Sequence, residues 1–143
     1  MAGSTATLVA ACLLLAAKTY AVPPQVLLGI LEVEGGQIGM ASGPNGNGTY
    51  DLGPMQINEI WLPELSRHWR VDEGTARRWI KDDACVNIGV GAWILRRQID
   101  TAGDLYQGIA RYHSATPKHG GPYAQKVVRV IDRLRRNAGG GNR

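Results

Sequence analysis

Residues 50–58 read YDLGPMQIN, and this stretch is the most specific in the 143-residue chain. Gly53 permits a close approach of two backbones or an unusual dihedral angle, and Pro54 suits the first turn of a helix. Gln56 and Asn58 carry amides that can donate and accept hydrogen bonds, as binding to sugar hydroxyls and N-acetyl groups requires. Taken alone, the stretch would also fit an ordinary junction between a loop and a helix.

A loop rich in glycine and asparagine leads into this stretch, from residue 35 to residue 53. A small hairpin is expected around NGNG at residues 45–48, because such pairs favour tight turns between strands. A loop of this length is uncommon within a compact domain and is often functional.

Outside the loop the pattern of apolar residues is helical almost throughout, with no sign of a second domain or an internal repeat. Helices are predicted over residues 5–20, 23–34, 55–69, 72–81, 83–99, 104–112 and from 122 onward. The glycine-rich end, residues 137–143, is predicted to be a disordered tail. The sequence therefore predicts one mainly α domain over residues 1–136.

The second predicted helix ends with acids that helical geometry separates. At about 100° per residue, Glu34 falls in the middle of the apolar arc, in line with Leu27 and Ile30. Gly29 and Glu32 fall in the polar gap, so Glu32 is expected to be solvated. Apolar neighbours and the negative end of the helix dipole should raise the pKa of Glu34, as a general acid acting on a glycosidic bond requires. For an arbitrary acid at a helix end, a side chain that turns to water is the commoner arrangement.

Charge and cysteine content narrow the class of protein only in part. A net charge of +4 suits cell wall, nucleic acid or an anionic membrane. Cys12 and Cys85 are too far apart to indicate a metal site, so a disulfide and two free thiols are equally compatible with the spacing. The apolar run at residues 8–17 is too short to span a bilayer and lacks the flanks of a signal peptide, so it is predicted to belong to the first core helix.

Four segments resemble, in the same order, the soluble lytic transglycosylases, the goose-lysozyme-like or SLT group. They are VEGG at 33–36, GPMQIN at 53–58, DACVNI and GAWIL between 83 and 95, and ARYHS at 110–114. The resemblance covers about residues 12–131 and implies a lysozyme-like fold, with the glycine-rich loop or a small hairpin beside the active-site cleft. The Glu-Gly-Gly variant and the small size look most like the accessory transglycosylases of type IV secretion, conjugation and pilus systems.

The resemblance also implies residue roles. Glu34 matches the catalytic acid, which later acts as a base. Six residues match positions that bind the substrate or support the cleft: Gln56, Met55, Tyr112, Ser42, Asn58 and Asn87. Among them, Gln56 is expected near the scissile bond, Met55 in the neighbouring wall, and the Tyr112 hydroxyl near the catalytic carboxyl. Asn87 fits a cleft residue or a buried polar support equally well. His113 stands where the family often has asparagine and is expected to be structural or to contact sugar.

By the same resemblance, Cys12 and Cys85 form a disulfide between the first and the central helix, which implies an oxidising periplasm. The expected substrate is the peptidoglycan glycan strand, and secretion or pilus proteins are further expected partners. No metal, cofactor, nucleic acid or membrane span is implied, and the protein is expected to be a monomer.

The implied chemistry is a single-acid route. Glu34 protonates the bond between N-acetylmuramic acid and N-acetylglucosamine, and then accepts the C6 hydroxyl proton as a 1,6-anhydro ring closes. Three alternatives stay open: a hydrolytic lysozyme in which Asp51 positions water, a non-catalytic peptidoglycan-binding module, and a nucleic-acid binder using the basic face of the last helix. The four tryptophans are expected to lie mainly in the core: Trp61, Trp69, Trp79 and Trp93.

Overall fold

The computed structural model of the protein describes residues 2–140. Seven α-helices make up most of this part of the chain, together with a small three-stranded antiparallel sheet that contacts α4 and α5. The helices are α1 (Ala2–Tyr20), α2 (Pro24–Glu34), α3 (Leu62–Trp69), α4 (Glu73–Asp82), α5 (Ala84–Ala102), α6 (Leu105–His113) and α7 (Pro117–Gly140). The strands are β1 (Ala41–Ser42), β2 (Asp51–Leu52) and β3 (Ile57–Asn58). The predicted mainly α, lysozyme-like fold is confirmed.

The predicted hairpin is present in the glycine-rich loop. Strands β1 and β2 pair through Ala41 with Leu52 and Ser42 with Asp51. In the connection between them, the Gly48 N–H donates to the Asn45 carbonyl at 2.8 Å and closes a turn. Strand β3 pairs with the other edge of β2, which places the YDLGPMQIN stretch inside the sheet rather than at the start of a helix.

Two helix boundaries differ from the prediction. Helix α3 begins at Leu62 instead of residue 55, because residues 57–58 pair with β2 as strand β3. A short 3-10 turn, Glu59–Trp61, follows the strand, and the Asn58 side chain accepts from the Ile60 N–H at its start. Helix α7 begins at Pro117 and contains Pro122 near its start.

The predicted tail is also wrong for residues 137–140, which continue helix α7. Extending an existing helix adds one hydrogen bond per residue without a new nucleation cost, and this outweighs the poor helix propensity of the glycines. The predicted domain boundary after residue 136 therefore falls within helix α7. The rest of the predicted tail, residues 141–143, lies outside the described part of the chain.

Helix α5 is the centre of the core, with α1, α4 and α6 packed around it. Its first turn is held by the Asp83 side chain, which accepts from the Cys85 and Val86 N–H groups. A disulfide joins Cys12 of α1 to Cys85 of α5, with the Cα atoms 5.1 Å apart and 73 positions between them in sequence. In the chain-entropy view, closing a loop of this length contributes about 4 kcal/mol to stability.

Helix α2, which ends at Glu34, is fixed by its packing on α7. Gly29 is buried there, and a Cβ at this position would lie 3.0 Å from Ile131 Cγ1 and 3.2 Å from Val127 Cγ1. Helix α7 therefore covers the part of the predicted polar gap where Gly29 lies. Glu32 is exposed, as expected, and forms an ion pair with Arg133 of α7. Within residues 2–140, no helix combines the length and the apolar character needed to cross a bilayer.

Candidate active site

A cleft of about 510 Å³ lies between the small sheet and the pair of helices α5 and α6. Glu34 reaches its wall from the last position of α2. Asp51, Gln56 and Asn58 line it from the sheet, and Tyr112 lines it from α6. The structure thus brings the predicted catalytic acid and three of the predicted substrate-binding side chains to one cavity.

The position of Glu34 depends on how α2 ends. Gly35 adopts a left-handed conformation, with φ of 64°, and its N–H bonds to the Leu31 carbonyl, so the helix stops directly after Glu34. The Glu34 carboxylate is half-buried and accepts a 2.7 Å hydrogen bond from the Tyr123 hydroxyl. Burial raises the pKa of Glu34 to about 7, although the Tyr123 hydrogen bond lowers it and the charge of Asp51 adds a smaller increase. The predicted upward shift is confirmed, and Glu34 can hold or release a proton near neutral pH.

The hydroxyl that bonds Glu34 is that of Tyr123, not that of Tyr112. Burial, followed by the charge of Glu34, raises the pKa of Tyr123, so Tyr123 stays a donor at any physiological pH. From helical periodicity, Tyr123 is expected only on the apolar stripe of the last predicted helix. A buried tyrosine needs a hydrogen-bond partner for its hydroxyl, and this is the one feature of the sequence that could have indicated a polar role for Tyr123. Tyr112 instead donates to the Met55 carbonyl at 2.8 Å and thereby ties α6 to the YDLGPMQIN stretch.

Two glycines allow that stretch to approach the end of α2. A Cβ on Gly36 would lie 2.0 Å from the Gly53 carbonyl oxygen and 2.5 Å from Gln56 Nε2, so no side chain fits there. Gly53 has a φ of 65°, and Gln56 has a φ of 53°, which is unusual for a residue with a side chain. The Gln56 amide donates back to the Gly53 carbonyl at 3.0 Å. Backbone strain of this kind is frequent at functional sites.

Asn87 holds the other side of the stretch. Its Oδ1 accepts from the Met55 N–H at 2.8 Å, and its Nδ2 donates to the carbonyls of Leu52 at 2.8 Å and Ile80 at 2.9 Å. Asn87 is completely buried on α5, with all of these groups satisfied. Of its two expected roles, the structure supports the buried polar support, and the expectation of a substrate-binding Asn87 is wrong.

Comparison with known proteins agrees with this arrangement. The transglycosylase SLT domain family matches residues 11–126, which contain Glu34, the YDLGPMQIN stretch and Asn87. The chain belongs to this family. Its members are peptidoglycan lytic transglycosylases, and this chain is such an enzyme.

Individual relatives are similar over most of this SLT domain. The chain is 30% identical over 120 residues to Invasion protein IagB of Salmonella typhimurium and of Salmonella typhi, covering 81% of this chain and 72% of IagB. It is 29% identical over 90 residues to a peptidoglycan-binding-like protein of Escherichia coli O157:H7, covering 60% of this chain and 52% of that protein.

Met55 and Ser42 do not lie where the resemblance implied. The Met55 side chain is fully buried and packs on Gly91 of α5, where a Cβ would lie 2.7 Å from Met55 Cε. This side chain is therefore not exposed to the cleft of the SLT domain in this structure, and its contact with substrate stays a prediction. Ser42 is exposed on β1 and is not among the residues that line the cleft, so its contact with substrate stays a prediction.

Asn58 lines the cleft, but its amide is engaged within the protein. Its Nδ2 donates to Thr49 Oγ1 at 2.9 Å and to Asp51 Oδ1 at 3.0 Å. Asn58 consequently orients Asp51, the second carboxylate of the SLT cleft. Direct contacts of Asn58, Gln56 and Tyr112 with substrate stay predictions.

The tryptophans are less buried than predicted. Trp61 and Trp93 meet edge to face with centroids 5.4 Å apart, and the Arg97 guanidinium lies 5.6 Å and 5.2 Å from their respective rings. Trp69 and Trp79 form a second pair, in which Trp79 is 43% exposed. Trp61, Trp69 and Trp93 are partly buried and pack against the core, and Trp61 also lines the cleft.

Proposed function

We propose that this transglycosylase cleaves the β-1,4 bond between N-acetylmuramic acid and N-acetylglucosamine and releases 1,6-anhydro-N-acetylmuramic acid. The observation that carries the proposal is Glu34, half-buried in the cleft with a pKa of about 7 and hydrogen-bonded to Tyr123. A carboxyl with this pKa can serve as acid and then as base within one turnover, because neither protonation state is far from neutral pH.

The chemical steps follow from that one residue. Protonated Glu34 donates to the glycosidic oxygen as the bond to C1 breaks, and the substrate N-acetyl oxygen stabilises the positive centre. The resulting carboxylate keeps the hydrogen bond from Tyr123, which lowers its energy at the moment when it is charged. Glu34 then takes the C6 hydroxyl proton while the C6 oxygen bonds to C1. The proton lost in the first step is regained, and no water is consumed.

A hydrolytic outcome is the second candidate, and Asp51 is the observation that favours it. Its carboxylate faces the same cleft as Glu34 and is held by Asn58. Glycosidases that hydrolyse use two carboxylates, one of which activates water or attacks the sugar. Replacement of Asp51 by Asn should abolish cleavage in that case, whereas the single-acid route predicts that Asp51→Asn retains anhydro product.

Product analysis separates these reactions. Purified peptidoglycan is treated with the wild-type protein and with Glu34→Gln, and the fragments are weighed by mass spectrometry. Anhydro products, lighter than hydrolysed ones by one water molecule, from the wild type alone would support the transglycosylase route. Reducing ends would indicate a lysozyme, and the absence of any product from folded protein would indicate a binding module.

The biological setting that we propose is local opening of the cell wall for a secretion, conjugation or pilus apparatus, with the enzyme in the periplasm. One similar protein, IagB, is named an invasion protein, and the Cys12–Cys85 disulfide supports an oxidising compartment. Cell fractionation followed by thiol alkylation tests the location. Recovery of reduced protein from the cytoplasm would contradict it.

A further inference from the structure

A smaller cavity of about 240 Å³ adjoins the cleft on the α7 side of Glu34. Helix α7 contributes His119, Tyr123 and Lys126 to its wall, and α6 contributes His113. Glu34 and His113 line both the cleft and this cavity, so they form its border with the cleft. We name it the α7 cavity.

The wall of the α7 cavity holds one ammonium group, that of Lys126, and two imidazoles, those of His113 and His119. None of His113, His119 and Lys126 forms an ion pair within residues 2–140. His119 and Lys126 are seven positions apart, which is two turns of α7, and therefore they project from the same face. Burial and the charges of His119 and Lys126 lower the pKa of His113, so the three groups are close enough to influence one another.

Two aromatic rings in the wall of the α7 cavity are stacked on each other. The His113 ring stacks on Tyr123 with centroids 4.7 Å apart and planes inclined by 8°, and Tyr123 is held by its hydrogen bond to Glu34. A group bound against His113 and Lys126 would thus have a fixed position relative to the catalytic carboxyl.

The chemistry of peptidoglycan limits what this cavity can recognise. The sugar backbone is uncharged, and the anionic groups lie on the lactyl-peptide arm of N-acetylmuramic acid. A volume of 240 Å³ corresponds to about eight water molecules at ~30 Å³ each. That space suits a side group that bears a carboxylate rather than a further stretch of glycan strand.

We propose that the α7 cavity binds a carboxylate of the lactyl-peptide arm through Lys126 and His119. This inference rests on the proposed function, because it takes peptidoglycan as the substrate of the cleft. The arm occurs on every second sugar of the strand, so its capture would set the register and present C1 of N-acetylmuramic acid, rather than that of N-acetylglucosamine, to Glu34.

Binding is tested without turnover by using Glu34→Gln, whose neutral amide replaces the protonated acid. Calorimetry compares three ligands: a disaccharide-peptide with free carboxylates, the same compound with its carboxylates amidated, and a chitin tetrasaccharide, which lacks the arm. We expect the free-carboxylate ligand to bind most tightly. Adding Lys126→Gln and His119→Gln should weaken its binding about tenfold, the effect of losing charge-assisted hydrogen bonds.

Lys118→Gln in the same background is the matched control, because it removes one positive charge from α7 outside the cavity wall. It should leave all three affinities unchanged. A fourth ligand, the peptide-free disaccharide with a free lactyl carboxylate, distinguishes the two sources of the anion. If this disaccharide binds more tightly than its lactyl amide, the cavity binds the lactyl carboxylate. If the two bind equally, the carboxylate that the cavity binds belongs to the peptide.

Equal affinity for the free and amidated ligands would overturn the proposal, as would no measurable binding of any muropeptide. A drop in affinity of the same size for Lys118→Gln would also overturn it, since the effect would then be one of overall charge. Failure of the proposed function gives a different result. In that case the wild-type protein yields no anhydro product, although Glu34→Gln still binds the free-carboxylate ligand more tightly than the amidated one.

Discussion

The Tyr123 hydroxyl lies 2.7 Å from Glu34 Oε2, and 89 positions separate the two residues in the chain. Helix α7 carries the tyrosine to the end of α2 because Gly29 lets the two helices pack closely one turn and a half before Glu34. The Glu34 carboxyl is therefore positioned by helix α7, and its proton affinity depends on that contact.

Removal of the Tyr123 hydroxyl should change the pH profile. The hydrogen bond stabilises the Glu34 carboxylate and lowers a pKa that burial raises to about 7, so Tyr123→Phe should raise the pKa further. The loss of kcat/KM at alkaline pH, where Glu34 gives up its proton, should then occur at higher pH than in the wild type. We also expect a fall in kcat of about tenfold, because the charged intermediate state loses a donor.

Tyr112→Phe is the control for this experiment. The Tyr112 hydroxyl bonds the Met55 carbonyl rather than Glu34, so the alkaline limb should stay at the wild-type position even if the protein is less stable. An alkaline limb of Tyr123→Phe that is unmoved, or moved to lower pH, would show that this hydrogen bond does not set the pKa of Glu34.

Glu34 should also make stability depend on pH. Its folded pKa of about 7 lies above the ordinary value of 4.5, so the folded protein binds the proton more tightly than the unfolded chain does. The contribution of Glu34 to the free energy of unfolding is therefore highest below pH 4.5, and it falls as the pH rises toward 7 and beyond. At about 1.4 kcal/mol per pKa unit, the full loss is on the order of 3 kcal/mol.

Urea unfolding at pH 4.5 and pH 8 measures this effect. Glu34→Gln cannot ionise, so it should be more stable than the wild type at pH 8 and close to it at pH 4.5. Glu32→Gln is the matched control, because Glu32 lies two residues earlier, is exposed, and pairs with Arg133. A stability gain at pH 8 for Glu32→Gln but not for Glu34→Gln would contradict the assignment.

The sequence predicts those parts of the site that local geometry determines. Helical periodicity placed Glu34 inward, because its direction depends only on its spacing from Leu27 and Ile30. Helices α4 and α5 begin close to the predicted residues 72 and 83, because Asp72 and Asp83 each accept from backbone N–H groups two or three positions ahead.

Pairing between distant segments could not be predicted in the same way. Residues 55–58 have a helical texture in sequence, yet β3 forms because β2 offers an edge with which to pair. Asn87 reaches Met55 and Leu52 across 32 and 35 positions, and periodicity contains no information on such contacts. The family resemblance gave the identity of these residues but not which of them face the cleft.

Asn87 should be among the residues whose loss is most costly to stability. Asn87→Ala removes the partners of the Met55 N–H and of two carbonyl groups, all in a buried region. Buried unsatisfied groups cost about 1–3 kcal/mol each, so we expect a loss of about 3–5 kcal/mol in the free energy of unfolding, read from urea titrations. Ser42→Ala, at an exposed position, should change it by less than about 0.5 kcal/mol. A small loss for Asn87→Ala would mean that the stretch around Met55 is held by other contacts.

Gly36 is the point where the end of α2 and the YDLGPMQIN stretch come closest. Gly36→Ala would place a methyl group 2.0 Å from the Gly53 carbonyl oxygen, and because that oxygen belongs to the backbone the two segments must separate. We expect a loss of about 1–3 kcal/mol in stability, with a larger proportional loss of kcat, since Glu34 and Gln56 move apart.

Gly46→Ala is the matched control, because nothing lies within 4 Å of a Cβ at that position and its φ is not positive. Unfolding titrations and turnover of purified peptidoglycan measure both effects. If Gly36→Ala behaved like Gly46→Ala, close contact between these two segments would not be needed to hold Glu34 in place.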